Sequence, residues 1–290
     1  MSGIDRVHDR TEFALSEALA NTRLGFTGRQ SLYAKNLATG EIVAVDSDTE
    51  VPTASVIKIP LMVALYHEID AGRFTEAQVL HMQEDDRRYG TGVIRDLTVG
   101  REFSVYDLCR LMIVLSDNTA TRMLAFLIGI DRINELLRQW GFATTEFRYQ
   151  SWSPPDPREY AVSTACEMVT LLERIANGTL LSAESSQAAM GHLRAQQDHA
   201  QLPRWLPYHE YYQRSGLHNE LSIWNKTGQM TGVRTDAAIF RVRSTTWIVA
   251  SFTRDSIDHR YCLDHEGMLL NARTGLALYD AWGRPALNEE

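Results

Sequence analysis

The sequence predicts an α+β protein in which an antiparallel sheet is built from both ends of the chain and a helical block is inserted between its parts. Three observations point there. Helical periodicity dominates the middle, from Phe74 to about Arg194. Short apolar runs of strand character occur near the start, at 31–45, and return only from Leu221. Helices and strands that keep apart in this way form segregated layers rather than alternating β-α units.

Near the start, Asp9 and Glu12 have capping-box spacing, and Leu15, Ala18, Leu19 and Thr22 follow at helical intervals, which predicts an N-terminal helix. SLYAKNL and EIVAV, separated by Ala38, Thr39 and Gly40, predict a hairpin over Ser31 to Val45. Residues 55 to 72 (SVIKIPLMVALYHEIDAG) are apolar on nearly every face as far as His67, the mark of a helix buried all round, and Gly72 ends it. VYDLCRLMIVL, TATRMLAFLIG, DRINELLRQWG and TACEMVTLLERIANG then supply helical patterns. SIWNKTG, DAAIFRVR and TTWIVASFT read as strands, the last two close enough for a hairpin. A helix from about Asp264 to Trp282 closes the chain and turns Met268, Leu269, Leu276 and Leu278 inward. The expected division is a sheet subdomain of 1–54 and 205–290 around a helical subdomain of 55–204, together one domain.

Composition narrows the function. Of 290 residues, 44% are apolar and 23% charged, as in an ordinary globular chain. A net charge of −8 leaves no global positive field for nucleic acid or an anionic membrane, so any anionic ligand must be met by a local cluster. The longest charge-free stretches, Ile59 to Tyr66 and Met123 to Ile130, fall far short of the roughly 20 apolar residues that span a bilayer. The first residues offer no apolar h-region, so a cytoplasmic location is expected. Cys109, Cys166 and Cys262 are widely spaced, which suits reduced buried thiols. No histidine pair has metal-ligand spacing with a third ligand in view, so neither metal nor cofactor is expected.

Three short motifs carry chemistry. Ser55 and Lys58 are three apart at the start of the buried helix, on one face, where an amine whose pKa is lowered by burial can take the serine proton. Alone, Ser-x-x-Lys is expected about once by chance in a chain of this length. Ser116, Asp117 and Asn118 stand between two helical patterns, and Lys226, Thr227 and Gly228 end the first strand of the returning sheet. With these three motifs in this order the sequence resembles the penicillin-recognising serine hydrolases, most closely the class A β-lactamase-like branch. TASVIKIPLMVALY, TVGREFSVYDLCRLMIVLSDNTATRMLAFLIG, LRAQQDHAQLPRWLP and NKTGQMTGVRTDAAIF extend the resemblance over most of the chain.

The resemblance implies a three-layer α/β/α fold with a five-stranded antiparallel sheet and N- and C-terminal helices packed against it. It implies that Ser55 is acylated, that Lys58 accepts its proton, and that Ser116 shuttles it to the leaving nitrogen. Asn118 would hold an acyl side-chain amide and orient Lys58, while Lys226 and Thr227 would bind a substrate carboxylate. The backbone N–H groups of Ser55 and Gln229 would form the oxyanion hole. Tyr89, ahead of Gly90 and Gly92, would wall the cleft. Gly228 also fits bottom-up, because a substrate lying along a strand edge needs close backbone approach. Arg234 either adds a second positive charge for a carboxylate or pairs with an acidic neighbour.

Two segments depart from the resemblance. Class A β-lactamases need an Ω-loop glutamate to activate the deacylating water. Counting back from REYAVSTACEM lands on Glu146, with Gln150 four residues on, whereas counting forward from Gly141 lands on Gln150 or Ser151. Neither register gives a glutamate-proline pair, and SWSPPDP (151–157) is rigid with three prolines. Residues 208–220, YHEYYQRSGLHNE, read as an insertion that is either a specificity loop or plain surface, and contain His209 and His218. Cys109 stands where some relatives carry half of a disulfide, but the partner position is Met62. The expected activity is a serine hydrolase forming an acyl-enzyme with a β-lactam or related cyclic amide that bears a carboxylate. An amide or ester hydrolase or acyltransferase of secondary metabolism, or a non-catalytic ligand-binding relative, are the alternatives.

Overall fold

The computed structural model describes residues 14–148, 157–208 and 220–287. Its main sheet has five antiparallel strands: β1 (Arg29–Asn36), β2 (Ile42–Val45), β8 (Leu221–Met230), β9 (Val233–Val242) and β10 (Thr245–Arg254), in the order β2-β1-β10-β9-β8. Helix α1 (14–22) precedes the sheet and α8 (Glu266–Leu278) follows it, running into a π turn, Tyr279–Gly283, and a last helical turn, α9 (Arg284–Ala286).

The central strands read as unbroken apolar runs because both faces are covered. Ala238, Phe240, Trp247 and Val249 point to one side, into a core shared with Leu15 and Leu19 of α1 and with Leu278, Tyr279 and Trp282. Ala237, Ile239, Ile248, Ala250 and Phe252 alternate with them and face the helical block. That block consists of α2 (Lys58–Asp70), α3 (Val105–Val114), α4 (Asn118–Ile128), α5 (Ile130–Gln139), α6 (Ala165–Ala176) and α7 (Ala183–Arg194). α2 runs through its middle, with Ile59 to Tyr66 all buried, as an all-round apolar helix must be.

Several expectations need correction. Leu15, Leu19 and Thr22 are buried but Ala18 is exposed, and Asp9 and Glu12 lie outside the described residues. On α8 the inward set is Met268, Leu270 and Leu278, while Leu269 and Leu276 are half-buried. The middle of the chain also holds two small sheets: β4 (Val79–His81) with β5 (Glu102–Ser104), and β3 (Val51–Pro52), β7 (Ala161–Ser163) and β6 (Glu146–Phe147) in the order β3-β7-β6. Strands of two or three residues are too short to show a period. Cys109 is a free thiol in the same core cluster as Met62, whereas Cys166 and Cys262 are half-buried rather than buried. Among the described residues no helix is long and apolar enough to cross a membrane.

Candidate active site

The three motifs meet in one cavity of about 910 Å³, between the C-terminal end of β8 and the helical block. Its lining includes Ser55, Tyr89, Ser116, Asn118, Thr227, Gly228 and Gln229. The volume suits a small molecule.

Ser55 sits in a 3-10 turn (Ala54–Ile57) that leads into α2, so Lys58 is the first residue of the α-helix. Ala54 has a φ of +46° and Ser116 a φ of +56°, left-handed values that cost a non-glycine residue about 1 kcal/mol or more. Strain of this kind at both motifs is tolerated because the surroundings fix it. Behind the turn, Thr235 Oγ1 donates to Thr53 O at 2.8 Å, while Val56 N–H returns to Thr53 O. Among the described residues the Ser55 N–H has no acceptor, which leaves it free to face a developing oxyanion.

Gly228 is required here for a reason different from the one expected. A Cβ at this position would lie 2.8 Å from both Ser55 N and Thr53 O and would also strike the Thr235 hydroxyl. Its lack of a side chain lets β8 close on the nucleophile turn. The Lys-Thr-Gly triplet also lies within β8, which runs on to Met230.

Lys58 is wholly buried, and its Nζ donates to Ser116 O (2.7 Å), Ser116 Oγ (3.0 Å) and Asn118 Oδ1 (2.8 Å). Three hydrogens meet three acceptors, so the ammonium form is fully satisfied and gives no bond to Ser55. Burial, followed by the charge of Lys226, holds its pKa well below the ordinary lysine value, with Asp117 opposing. Loss of one hydrogen therefore leaves a neutral amine with a free lone pair beside Ser116, on the helix start that also carries Ser55.

Asp117 and Asn118 build the opposite wall. Asp117 caps α4 through Ala120 N–H (2.9 Å), and its other oxygen accepts from Val93 and Ile94 N–H at 2.7 and 2.9 Å. Asn118 Nδ2 donates to Tyr89 O (2.8 Å), which leaves one amide hydrogen for a ligand. Thr91 Oγ1 donates to Ser116 O at 2.6 Å. Gly90 and Gly92, with φ of +100° and +110°, allow this loop to approach, since a Cβ at either would collide with Asn118 or Asp117. Tyr89 is 85% exposed at the rim.

At the far end Lys226 is fully buried, and Nζ donates to Thr227 O at 2.7 Å. Burial pushes its pKa down to about 8, opposed by Asp198 and Asp236. Asp236, beneath it, is pushed up to about 8 by burial, although it accepts from Leu202 N–H and Asn225 Nδ2. Sequence reasoning missed Asp198, which lines the cavity and accepts the Thr227 hydroxyl hydrogen at 2.7 Å. It also missed Tyr160, Thr231, His259 and Tyr261, which belong to the lining.

Two candidates lie elsewhere. The Arg234 guanidinium donates to the carbonyls of Met230 and Val233 (2.7 Å each) and Arg260 (2.5 Å) and lies over the Tyr261 ring, outside the cavity lining. Its charge lies beside Tyr261 and Met230 of the lining and is felt by Asp258; it forms no salt bridge among the described residues and staples the β8-β9 turn. Glu146, on β6, is also outside the lining and is bonded to Arg148 Nε at 2.7 Å, with Glu50 on the same guanidinium. Gln150, Ser151, His209 and His218 lie outside the described residues.

The profile of the beta-lactamase enzyme family matches residues 14–282. In overall structure the chain is similar to a β-lactamase from Sphaerobacter thermophilus, with a TM-score of 0.81 at 27% identity over 92% of this chain and 97% of that one. It is also similar to a variant of PBP-A solved as an acyl-enzyme complex with penicillin G, with a TM-score of 0.78 at 25% identity over 92% and 95% of the two chains. The β-lactamase regulatory protein BlaB of Streptomyces cacaoi is 33% identical over 127 residues, a match that spans 43% of this chain and 40% of that protein.

Proposed function

This chain belongs to the beta-lactamase enzyme family, and from that premise we propose that it is a serine hydrolase whose Ser55 forms an acyl-enzyme with a β-lactam or related cyclic amide. One observation carries the reading: a fully buried lysine, Lys58, with a strongly depressed pKa and all its bonds directed to Ser116 and Asn118, at the foot of the cavity that Ser55 lines. In its neutral form Lys58 takes the Ser55 proton as Oγ attacks the amide carbonyl. The negative oxygen forms against the N–H groups of Ser55 and Gln229. The proton then passes from Lys58 to Ser116 Oγ, 3.0 Å away, and on to the leaving nitrogen. Asn118 orients Lys58 through Oδ1 and offers its remaining amide hydrogen to the acyl side chain.

The fate of the acyl-enzyme is a separate matter. Glu146 is engaged by Arg148 away from the cavity, which favours a long-lived acyl-enzyme, or transfer of the acyl group to an acceptor other than water, over rapid hydrolysis through this glutamate. Three free thiols suit work in a reducing compartment, where an amide or ester other than an antibiotic would be met.

Incubation with a fluorescent penicillin and a chromogenic cephalosporin, followed by intact mass, tests the reading. A lasting adduct on the parent and none on Ser55→Ala is expected. Equal reaction by Ser55→Ala would eliminate the serine mechanism.

A further inference from the structure

We infer that the active-site cavity continues round the tip of the β8-β9 hairpin into a second, charged chamber, and that this chamber receives a zwitterionic, amino-acid-like tail carried on the acyl side of the substrate. The inference rests on the acyl-enzyme reading above and names the substrate class of that same site.

The second chamber has a volume of about 530 Å³ and shares Thr231 and His259 with the first. Thr231 and Gly232 are the two residues that join β8 to β9, so the shared rim is the tip of a hairpin. On one side of it Thr227 to Met230 line the first cavity, and on the other Gly232 and Val233 line the second. Gly228 abuts the Ser55 turn, and Thr231 is three residues further on, about 10 Å at strand spacing. An acyl chain of roughly eight single bonds covers that distance when extended. The first cavity alone has the volume of a site for a drug-sized ligand, so a substrate that fills both is larger than a bare bicyclic lactam.

The chambers differ in chemistry. Tyr89, Tyr160, Met230 and Tyr261 give the first one aromatic and apolar walls. The second is lined by Arg158, Arg254, Glu50 and Asp255, and its apolar residues, Pro52 and Val233, are buried. Arg254 is the deeper charge, with 15% of its side chain exposed, and its Nη1 lies 2.7 Å from the more exposed Asp255. Glu50, 42% exposed, is paired with Arg148 at 3.1 Å. Partly solvated pairs of this kind exchange partners at little cost. A tail that ends in a carboxylate and an ammonium meets both signs, the carboxylate toward Arg254 and the ammonium toward Asp255 and Glu50. An apolar tail would desolvate these charges without replacing their bonds, and a tail of one sign would face its like.

Three cephalosporins with one nucleus and one acetoxymethyl leaving group hold the chemistry at Ser55 constant and test the chamber. They are cephalosporin C, whose side chain ends in an ammonium and a carboxylate on one carbon; its adipyl analogue, identical but for the missing ammonium; and cephalothin, with an apolar side chain. Second-order acylation rate constants come from the loss of β-lactam absorbance and from intact mass. The parent should react with cephalosporin C about fivefold faster than with the adipyl analogue, the gain expected from one partly exposed charge pair. In the double variant Glu50→Gln, Asp255→Asn that ratio should fall to about one, while the cephalothin rate changes less than about twofold. Asp255→Asn alone should lower the ratio part of the way, and it keeps the fold because asparagine accepts the φ of +58° at this position. A ratio near one in the parent, or a ratio unchanged in the double variant, would overturn the inference while leaving the acyl-enzyme reading standing. Absence of reaction and of adduct with all three compounds would overturn that reading, and the inference with it.

Discussion

Gly228→Ala is the most informative single perturbation of the scaffold, because its consequence can be worked out from distances. The added methyl would sit 2.8 Å from Ser55 N and from Thr53 O, and restoring the ordinary 3.4 Å contact requires a shift of about 0.6 Å. Both obstructing atoms are backbone and cannot swing aside, so β8 must retreat from the nucleophile turn. Gln229 follows directly and retreats with it, which opens the oxyanion site. Overpacking of this kind costs roughly 1–3 kcal/mol. In a domain of this size that lowers Tm by about 2–10 °C. A displacement approaching 1 Å between catalytic groups costs on the order of tenfold to a hundredfold in rate. Acylation by a chromogenic cephalosporin, read by stopped flow next to thermal unfolding, measures both. Gly191→Ala is the matched control: it lies in α7 with nothing within 4 Å of a new Cβ, and it should leave acylation unchanged. If Gly228→Ala acylates within about twofold of the parent, the packing of β8 on Ser55 does not position the site and the argument fails.

Three further outcomes follow from particular groups. Glu146→Gln should leave turnover within about twofold and cost less than about 1 kcal/mol, since it removes a partly exposed ion pair with Arg148 and nothing at the cavity; a large loss of turnover with acylation intact would restore Glu146 as deacylation base. The acylation rate should rise with pH on a limb well below the ordinary lysine range, because burial and Lys226 favour neutral Lys58; a limb near pH 10 would contradict this. His192, buried against Tyr66 OH at 2.7 Å, has its pKa lowered by burial to about 4. Its folded pKa lies below the unfolded value of 6.5, so its full contribution is present above about pH 6.5. Roughly 3 kcal/mol is lost as pH falls from there through 4. Urea unfolding at pH 7 and pH 4 should show that loss in the parent and a shallower one in His192→Gln.

The site was legible in sequence as far as its chemistry demands fixed residue types at fixed spacing. A serine and a lysine one helical turn apart, and triplets at a helix cap and on a strand, reveal themselves locally. The central strands were legible because two covered faces leave an unbroken apolar run. Side-chain direction was not. Arg234 is opposite Gln229 in the β8-β9 register, yet its long side chain folds back onto the turn, where three carbonyls outbid the cavity. Asp198 meets Thr227 across 29 residues of chain, and no local pattern records such a contact. Glu146 was ambiguous because the two registers counted through the sequence after it disagree, and only the pairing of β6 with β7 and the bond to Arg148 fix where its carboxylate lies. Gly228 stood out in the sequence, but the need for glycine that the structure shows lies in the packing of Thr53, Ser55 and Thr235, which only the tertiary structure contains.

The claim at the centre is that Lys58, as a neutral amine, takes the proton from Ser55. The most direct measurement is the second-order acylation rate constant of Lys58→Arg with a β-lactam that acylates the parent, taken alongside thermal unfolding to establish that the variant is folded. Arginine keeps the positive charge but does not give up its proton, so the rate should fall at least about 10²-fold, the loss expected when a positioned general base is removed. A folded Lys58→Arg protein that acylates as fast as the parent would contradict the account.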